Sequence, residues 1–194
     1  MTDHAAAASA TDARTRIVDA GIRCVVRDGV ASSSMAVIAL EAGVSKALLH
    51  YHYHDRATLL GEIAERIAVR LVQRERAAID RAGTTGALNA LWSWLEAELR
   101  RGELAGFAEL ALARDGPVRE ACRNGASHRR ESATRTVERL FAELDLTPRV
   151  PPPLLAEASV AFTDGLAVDV AAGSARDPRV SFDIFWLALL GLTE

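Results

Sequence analysis

The residues with the most chemistry to offer crowd into one stretch, Ser45-Lys46-Ala47-Leu48-Leu49-His50-Tyr51-His52-Tyr53-His54. Lys46 is the only lysine of the chain, every other basic side chain being arginine, and His50, His52 and His54 are three of its five histidines. Imidazoles at this density could hold zinc, nickel or copper. On a helix, though, His50 and His54 share a face while His52 points about 200° away. Only two ligands converge and no cysteine is near, whereas structural metal sites use four ligands, so neither a metal nor another cofactor is expected. The remaining chemistry is hydrogen bonding from an ammonium, imidazoles and phenols to phosphates or base edges.

Such groups need a short exposed helix to carry them, and the flanking residues supply one. Ser45 is a cap for residues 46–52, directly after Gly43-Val44, and the preceding helix starts behind Ser33 and Ser34 and stops at Gly43. Two short helices joined by a tight glycine turn, the second capped and polar, describe a helix-turn-helix at about residues 33–53. Ala39 and Gly43 must be small where the helices cross, Ile38, Val44 and Leu49 fill the wedge, and Tyr53 turns inward with Leu49. Lys46, Ala47, His50 and His54 then project to the side that fits a major groove.

Around this motif apolar residues recur at three- and four-residue spacing and no window alternates, so an all-α chain is expected. A first helix runs from a cap at Thr11 or Asp12 to Asp28, burying Ile17, Ala20, Gly21, Cys24 and Val25, with Gly29 as its stop. Asp55 caps a long fourth helix through Leu59, Leu60, Ile63, Ile67 and Leu71. Beyond Gly83 follow longer segments at about 85–101, 104–114, 117–144, 153–173 and 180–193. The expected division is 11–71 and 72–194, with the boundary carried by the fourth helix rather than a linker.

With 194 residues, 49% hydrophobic and 25% charged, the composition excludes disordered, collagen-like and rod-like chains. The longest apolar stretch, Val180 to Leu192, is broken by Asp183 and falls short of the ~20 residues of a membrane span. The first residues lack the cationic and apolar regions of a secretion signal, so a cytoplasmic protein without membrane contact is expected. Cys24 and Cys122 are too few for a disulfide framework. Enzyme signatures are missing as well: no G-x-S-x-G elbow, phosphate loop or G-x-G-x-x-G occurs. Residues 1–56 carry six basic and six acidic side chains, so any nucleic-acid contact must rest on placement, not total charge.

Ile38-Ala39-Leu40-Glu41-Ala42-Gly43-Val44-Ser45-Lys46-Ala47-Leu48-Leu49-His50-Tyr51-His52-Tyr53 resembles the signature of the TetR family, and 54–60 is similar to its continuation. The resemblance implies a homodimeric transcriptional regulator, usually a repressor, that binds double-stranded DNA at a pseudo-palindromic operator and is released by a small-molecule inducer. Carried over by position, Ser34 would hold a phosphate at a helix N-terminus. Ser45, Lys46, Ala47, Leu48, His50, Tyr51 and His52 would form the reading surface, and Arg56 would anchor the DNA backbone. Ala47-Leu48 stand where the family usually has Gly-Thr, replacing a polar contact with a thymine-methyl one. The alternative is a helical dimer that senses a ligand or joins a complex without DNA. Because imidazoles gain charge below about pH 6.5, affinity for DNA is expected to strengthen from pH 8 to pH 6. Operator titrations at constant salt check this, and a flat profile removes it.

In the second half, Trp92, Trp94, Phe107, Phe141 and Phe162 are candidates for an inducer pocket, with Glu96, Glu109, His128 and Asp164 as polar contacts. Arg119, Arg123, Arg129, Arg130, Arg135 and Arg139, interleaved with glutamates, read as a solvated face. The last helix, through Ile184 to Leu190, is apolar all round and needs a second surface to cover it. Phe185, Trp186, Leu189 and Leu190, with Leu155, Phe162 and Leu166 of the helix before, are therefore expected in a four-helix dimer interface.

Overall fold

A computed structural model describes residues 2–82 and 86–193, with side chains from residue 12 onward; the expected break at Gly83 lies outside the described residues. Nine helices occur among them: α1 (Thr2–Ser32), α2 (Met35–Ala42), α3 (Lys46–His52), α4 (Arg56–Arg81), α5 (Ala87–Arg101), α6 (Glu103–Ala111), α7 (Gly116–Glu143), α8 (Pro152–Ala171) and α9 (Pro178–Leu190). None is long and apolar enough to cross a membrane.

The caps behave as their chemistry demands. Ser34 accepts from the Val37 N–H at 3.3 Å, Ser45 from Leu48 at 3.1 Å, and Asp55 from Thr58 at 2.7 Å. Those backbone bonds hold the Asp55 carboxyl below its ordinary pKa. The start of α1 is a correction: Thr11 and Asp12 lie inside the helix, because the alanines at 5–8 and 10 are the best helix formers and carry it back to Thr2. Asp12 instead pairs with Arg16 one turn on, at 3.3 Å. Gly29 does break α1, at φ +80°, and the chain makes one further turn before Ser33.

One hydrophobic core runs through the molecule, from Ile17 and Ile38 across Ile63 and Leu71 to Val137, Phe182 and Leu189. The helix α4 crosses it from end to end and packs most extensively on α7. Their approach is close because position 125 is glycine: a Cβ there would stand 2.7 Å from the Ala68 methyl.

The dimer-face assignment needs correction in its details. Leu155, Leu166, Trp186 and Leu189 are buried within the protomer, and Phe162, Phe185 and Leu190 are half-buried against its core. A helix that is apolar all round has no polar side to set its rotation, so sequence could not say which half faced inward. The outward half consists of Val180, Ile184 and Leu187, the last two 62% and 69% exposed.

Candidate nucleic-acid interface and internal cavity

The turn between α2 and α3 is built by Gly43, at φ +65°. Its N–H donates to Leu40 O at 3.1 Å and the Val44 N–H to Ala39 O at 3.0 Å, a Schellman closure that needs a residue free of Cβ strain. Ile38, Ala39 and Leu49 are buried beneath it, as expected from their spacing. Tyr53 is 1% exposed, and its phenol donates to Glu62 at 2.8 Å. Burial first, and then that bond, push the phenol above its ordinary pKa. Arg14 closes the cluster, bonded to Glu62 at 2.6 Å and lying 5.7 Å from the Tyr53 ring centre. This anchor fixes the rotation of α3.

Lys46, Ala47, Leu48, His50 and Tyr51 are thereby left exposed on one side of α3, with Ser34 and Ser45 exposed at the two helix starts. His52 is a correction. It is half-buried, edge-on to Tyr51 at 5.3 Å, with Nε2 shut away from solvent and without a partner. The same 200° that separates it from His50 takes it off the reading surface. His54 lies beyond the helix, since Tyr53 is already extended, so His50 and His54 do not share a helical face.

Arg56 is a second correction. Its Nε donates to Ser33 O at 2.9 Å and Nη2 to Val30 O, so the guanidinium ties the end of α1 to the start of α4 rather than standing free. The arginines of α1 are also spent. Arg23 and Arg27 grip Glu41 at 2.8 and 3.0 Å, and their hydrogen bonds hold its carboxyl below the usual range. Arg14 has Glu62 and Arg16 has Asp12. Lys46 alone among the described cations of residues 12–56 makes no ion pair or hydrogen bond. The even charge count conceals a local imbalance at the tip of α3.

In the C-terminal part a small cavity of about 30 Å³ lies between five helices. Of the residues named for an inducer pocket, Phe162 and Trp94 border this cavity, joined by Phe182, Phe185 and Trp186 from α9. The other residues expected there lie elsewhere. Trp92 packs outside on Phe182 at 5.2 Å, and Glu96 is exposed and paired with Arg100 at 3.2 Å. His128 is exposed, while Phe107 and Phe141 are core residues that do not reach the cavity. Glu109 sits at the opposite junction, accepting from the Val30 N–H at 2.8 Å beside Gly29. Asp164 comes close only through Arg129, which is buried rather than solvated and lines the cavity.

Glu75 is the polar lining residue that sequence reasoning missed. It looks like surface charge between Arg74 and Arg76, yet it occupies the i, i+4 stripe Ile67, Leu71, Glu75, Ile79, whose members are all buried. A carboxylate in phase with a core stripe was the available signal.

Comparison with known proteins bears on this arrangement. Residues 17–69 match the family model described as bacterial regulatory proteins, tetR family. Over 72 residues the chain is 35% identical to the HTH-type nicotine-responsive transcriptional repressor HdnoR of Paenarthrobacter nicotinovorans, a match covering 37% of each chain. It is 36% identical over 56 residues to the HTH-type transcriptional regulator AcrR of Shigella flexneri, covering 29% of this chain and 26% of that one. The match thus spans about a third of those relatives' length. In structure, the regulatory protein TetR from Rhodobacter sphaeroides superposes with a TM-score of 0.75 at 17% identity, over 94% of this chain and 99% of that one. Residues 17–69 are thus similar to the tetR family of bacterial regulatory proteins, and the chain as a whole shares the all-helical fold of that solved structure.

Proposed function

We propose that the protein is a sequence-specific DNA-binding transcriptional repressor, acting as a homodimer and released by a small-molecule inducer. The reading is carried by the unpaired Lys46 on the exposed side of α3, beside Ala47, His50 and Tyr51, where every neighbouring arginine is already tied to a carboxylate or carbonyl. In this reading residues 11–71 are the DNA-binding domain and 72–194 the ligand-binding and dimerisation domain. Lys46 and His50 donate to base edges or phosphates, Ala47 and Leu48 offer methyls to thymine, and Tyr51 reaches from the rim. Ser34 and Ser45 accept backbone N–H bonds through Oγ but keep the hydroxyl hydrogen for a phosphate. Arg56 positions α1 against α4 instead of touching DNA.

The route from cavity to DNA is short. The helix α4 bears Glu75 at the cavity and Arg56 at the carbonyls of Val30 and Ser33, while Glu109 of α6 holds the Val30 N–H from the other side. A ligand that binds better to a form with the two reading heads differently spaced drains the DNA-competent form, and DNA weakens ligand binding reciprocally. Selection of bound duplexes from a random pool tests the proposal. The expected product is a pseudo-palindrome with half-sites one or more helical turns apart; no enrichment at low salt defeats it and favours the DNA-independent helical sensor.

A further inference from the structure

The cavity holds two buried charged side chains of opposite sign that are not partners. Arg129 is already compensated: its two terminal nitrogens donate to Asp164 at 3.1 and 2.6 Å, and its guanidinium lies 5.3 Å from the Phe107 ring centre. Glu75 has no such counter-ion. It is 6% exposed and accepts one hydrogen bond, from Thr136 at 2.7 Å, and no Lys or Arg of the described residues reaches it within ion-pair distance. The rest of the lining is mostly apolar and includes five aromatic residues, with one unmet donor, the buried indole N–H of Trp94.

This arrangement sorts ligands by charge. An anion would face Glu75 while finding Arg129 neutralised by Asp164. A neutral apolar body would fill space but leave the carboxyl unmatched. A cation supplies the missing charge, and the faces of Trp94, Phe162, Phe182 and Trp186 attract it further through their ring quadrupoles. We infer that the ligand of this cavity is a small organic cation, an amine or amidine whose charged nitrogen pairs with Glu75 and whose flat apolar body parts the aromatic side chains around a space of only about 30 Å³. The inference rests on the reading of this cavity as the inducer site.

The protonation chemistry follows the same geometry. Burial pushes the Glu75 carboxyl above its ordinary pKa, opposed by the Thr136 hydrogen bond and by the charges of Arg129 and Arg135, all on α7. From α8, the Ser159 and Thr163 hydroxyls are committed to Leu155 O and Val160 O of their own helix, and Asp164 to Arg129. From α5 the lining residues Leu91 and Trp94 bring no charge, and the buried Trp94 N–H has no partner. Proton and ligand therefore compete for one carboxylate, and affinity for a cation rises with pH until Glu75 is fully ionised.

Calorimetry on the full chain with three naphthalene probes tests this: 1-naphthylmethylamine, 1-naphthylmethanol and 1-naphthoate. The amine is expected to bind at least about tenfold more tightly than either of the others, in keeping with the strength of a buried charge pair. As pH is lowered and Glu75 becomes protonated, amine binding should come to release protons, seen as a heat that changes with the buffer's ionisation enthalpy. Glu75→Gln keeps a group for Thr136 to bond and should lose the amine preference and the proton release, with naphthylmethanol unchanged. Naphthoate binding as tightly as the amine, no amine binding at millimolar concentration, or an unchanged amine affinity in a folded Glu75→Gln variant overturns the inference. The probe comparison on the unsubstituted protein decides the matter should the variant fail to fold. If the amine binds as described yet leaves operator affinity unaltered, the cation inference stands and the inducer role of the cavity falls.

Discussion

Ile184→Glu combined with Leu187→Glu is expected to give a folded monomer whose affinity for a two-half-site operator has dropped by at least about a hundredfold, the usual scale of avidity from a second linked site. Both side chains stand clear of the protomer core, at 62% and 69% exposed, so their replacement costs the single chain little. They do not stand alone. Along α8, Leu154, Ala158, Ala161, Gly165, Val168 and Ala172 are exposed at three- and four-residue intervals, and a Cβ added to Gly165 would meet nothing within 4 Å. A stripe of small residues flanked by larger apolar ones on two successive helices suits the close packing of a second copy about a two-fold axis. Burying the larger members contributes roughly 1.5–3 kcal/mol each before association costs. Four introduced carboxylates, two per protomer, would face one another across that axis. Sedimentation equilibrium reads the mass, circular dichroism the fold, and a single half-site duplex should bind the variant as it binds one head of the parent. A variant that remains dimeric removes this surface from the interface.

What the sequence revealed and what it concealed divide along the range of the interactions. Ser34, Ser45 and Asp55 were legible as caps because each acts on an amide three residues away. The inward turn of Leu49 and Tyr53 was legible because helical phase is local too. Arg129 was not: its partner Asp164 lies 35 residues on, and within α7 it reads as one more arginine in a charged series. Glu109 misled in the same way, since the amide it accepts from, Val30, is 79 residues distant. The α9 helix failed for a different reason, its uniform apolarity carrying no phase. The bonds of Arg56 to the Ser33 and Val30 carbonyls were not legible, because those acceptors lie 23 and 26 residues earlier in the chain and meet it only in the fold.

Charge pairing also yields a contrast that total charge could not. Lys46→Ala with His50→Ala is expected to reduce specific operator affinity by about 1–3 kcal/mol for each base-edge hydrogen bond removed, roughly five- to 150-fold apiece. Arg23→Ala with Arg27→Ala removes the same formal charge or more, yet should leave affinity within a few-fold. Those guanidiniums are already neutralised by Glu41 and Asp28 on the flank of α1, whereas Lys46 is free at the start of α3. The Lys46 and His50 substitutions should leave stability within about 0.5 kcal/mol, both positions being exposed and the helix start held by Ser45. The salt dependence separates the two ways Lys46 can meet DNA. If it touches a phosphate, its removal weakens all duplexes alike and lowers the salt slope by about one; if it reads a base, discrimination relaxes at one position of each half-site while the slope holds. Equal reductions from the α1 arginines and from Lys46 with His50 would mean that the whole domain surface, and not the bare side of α3, meets DNA.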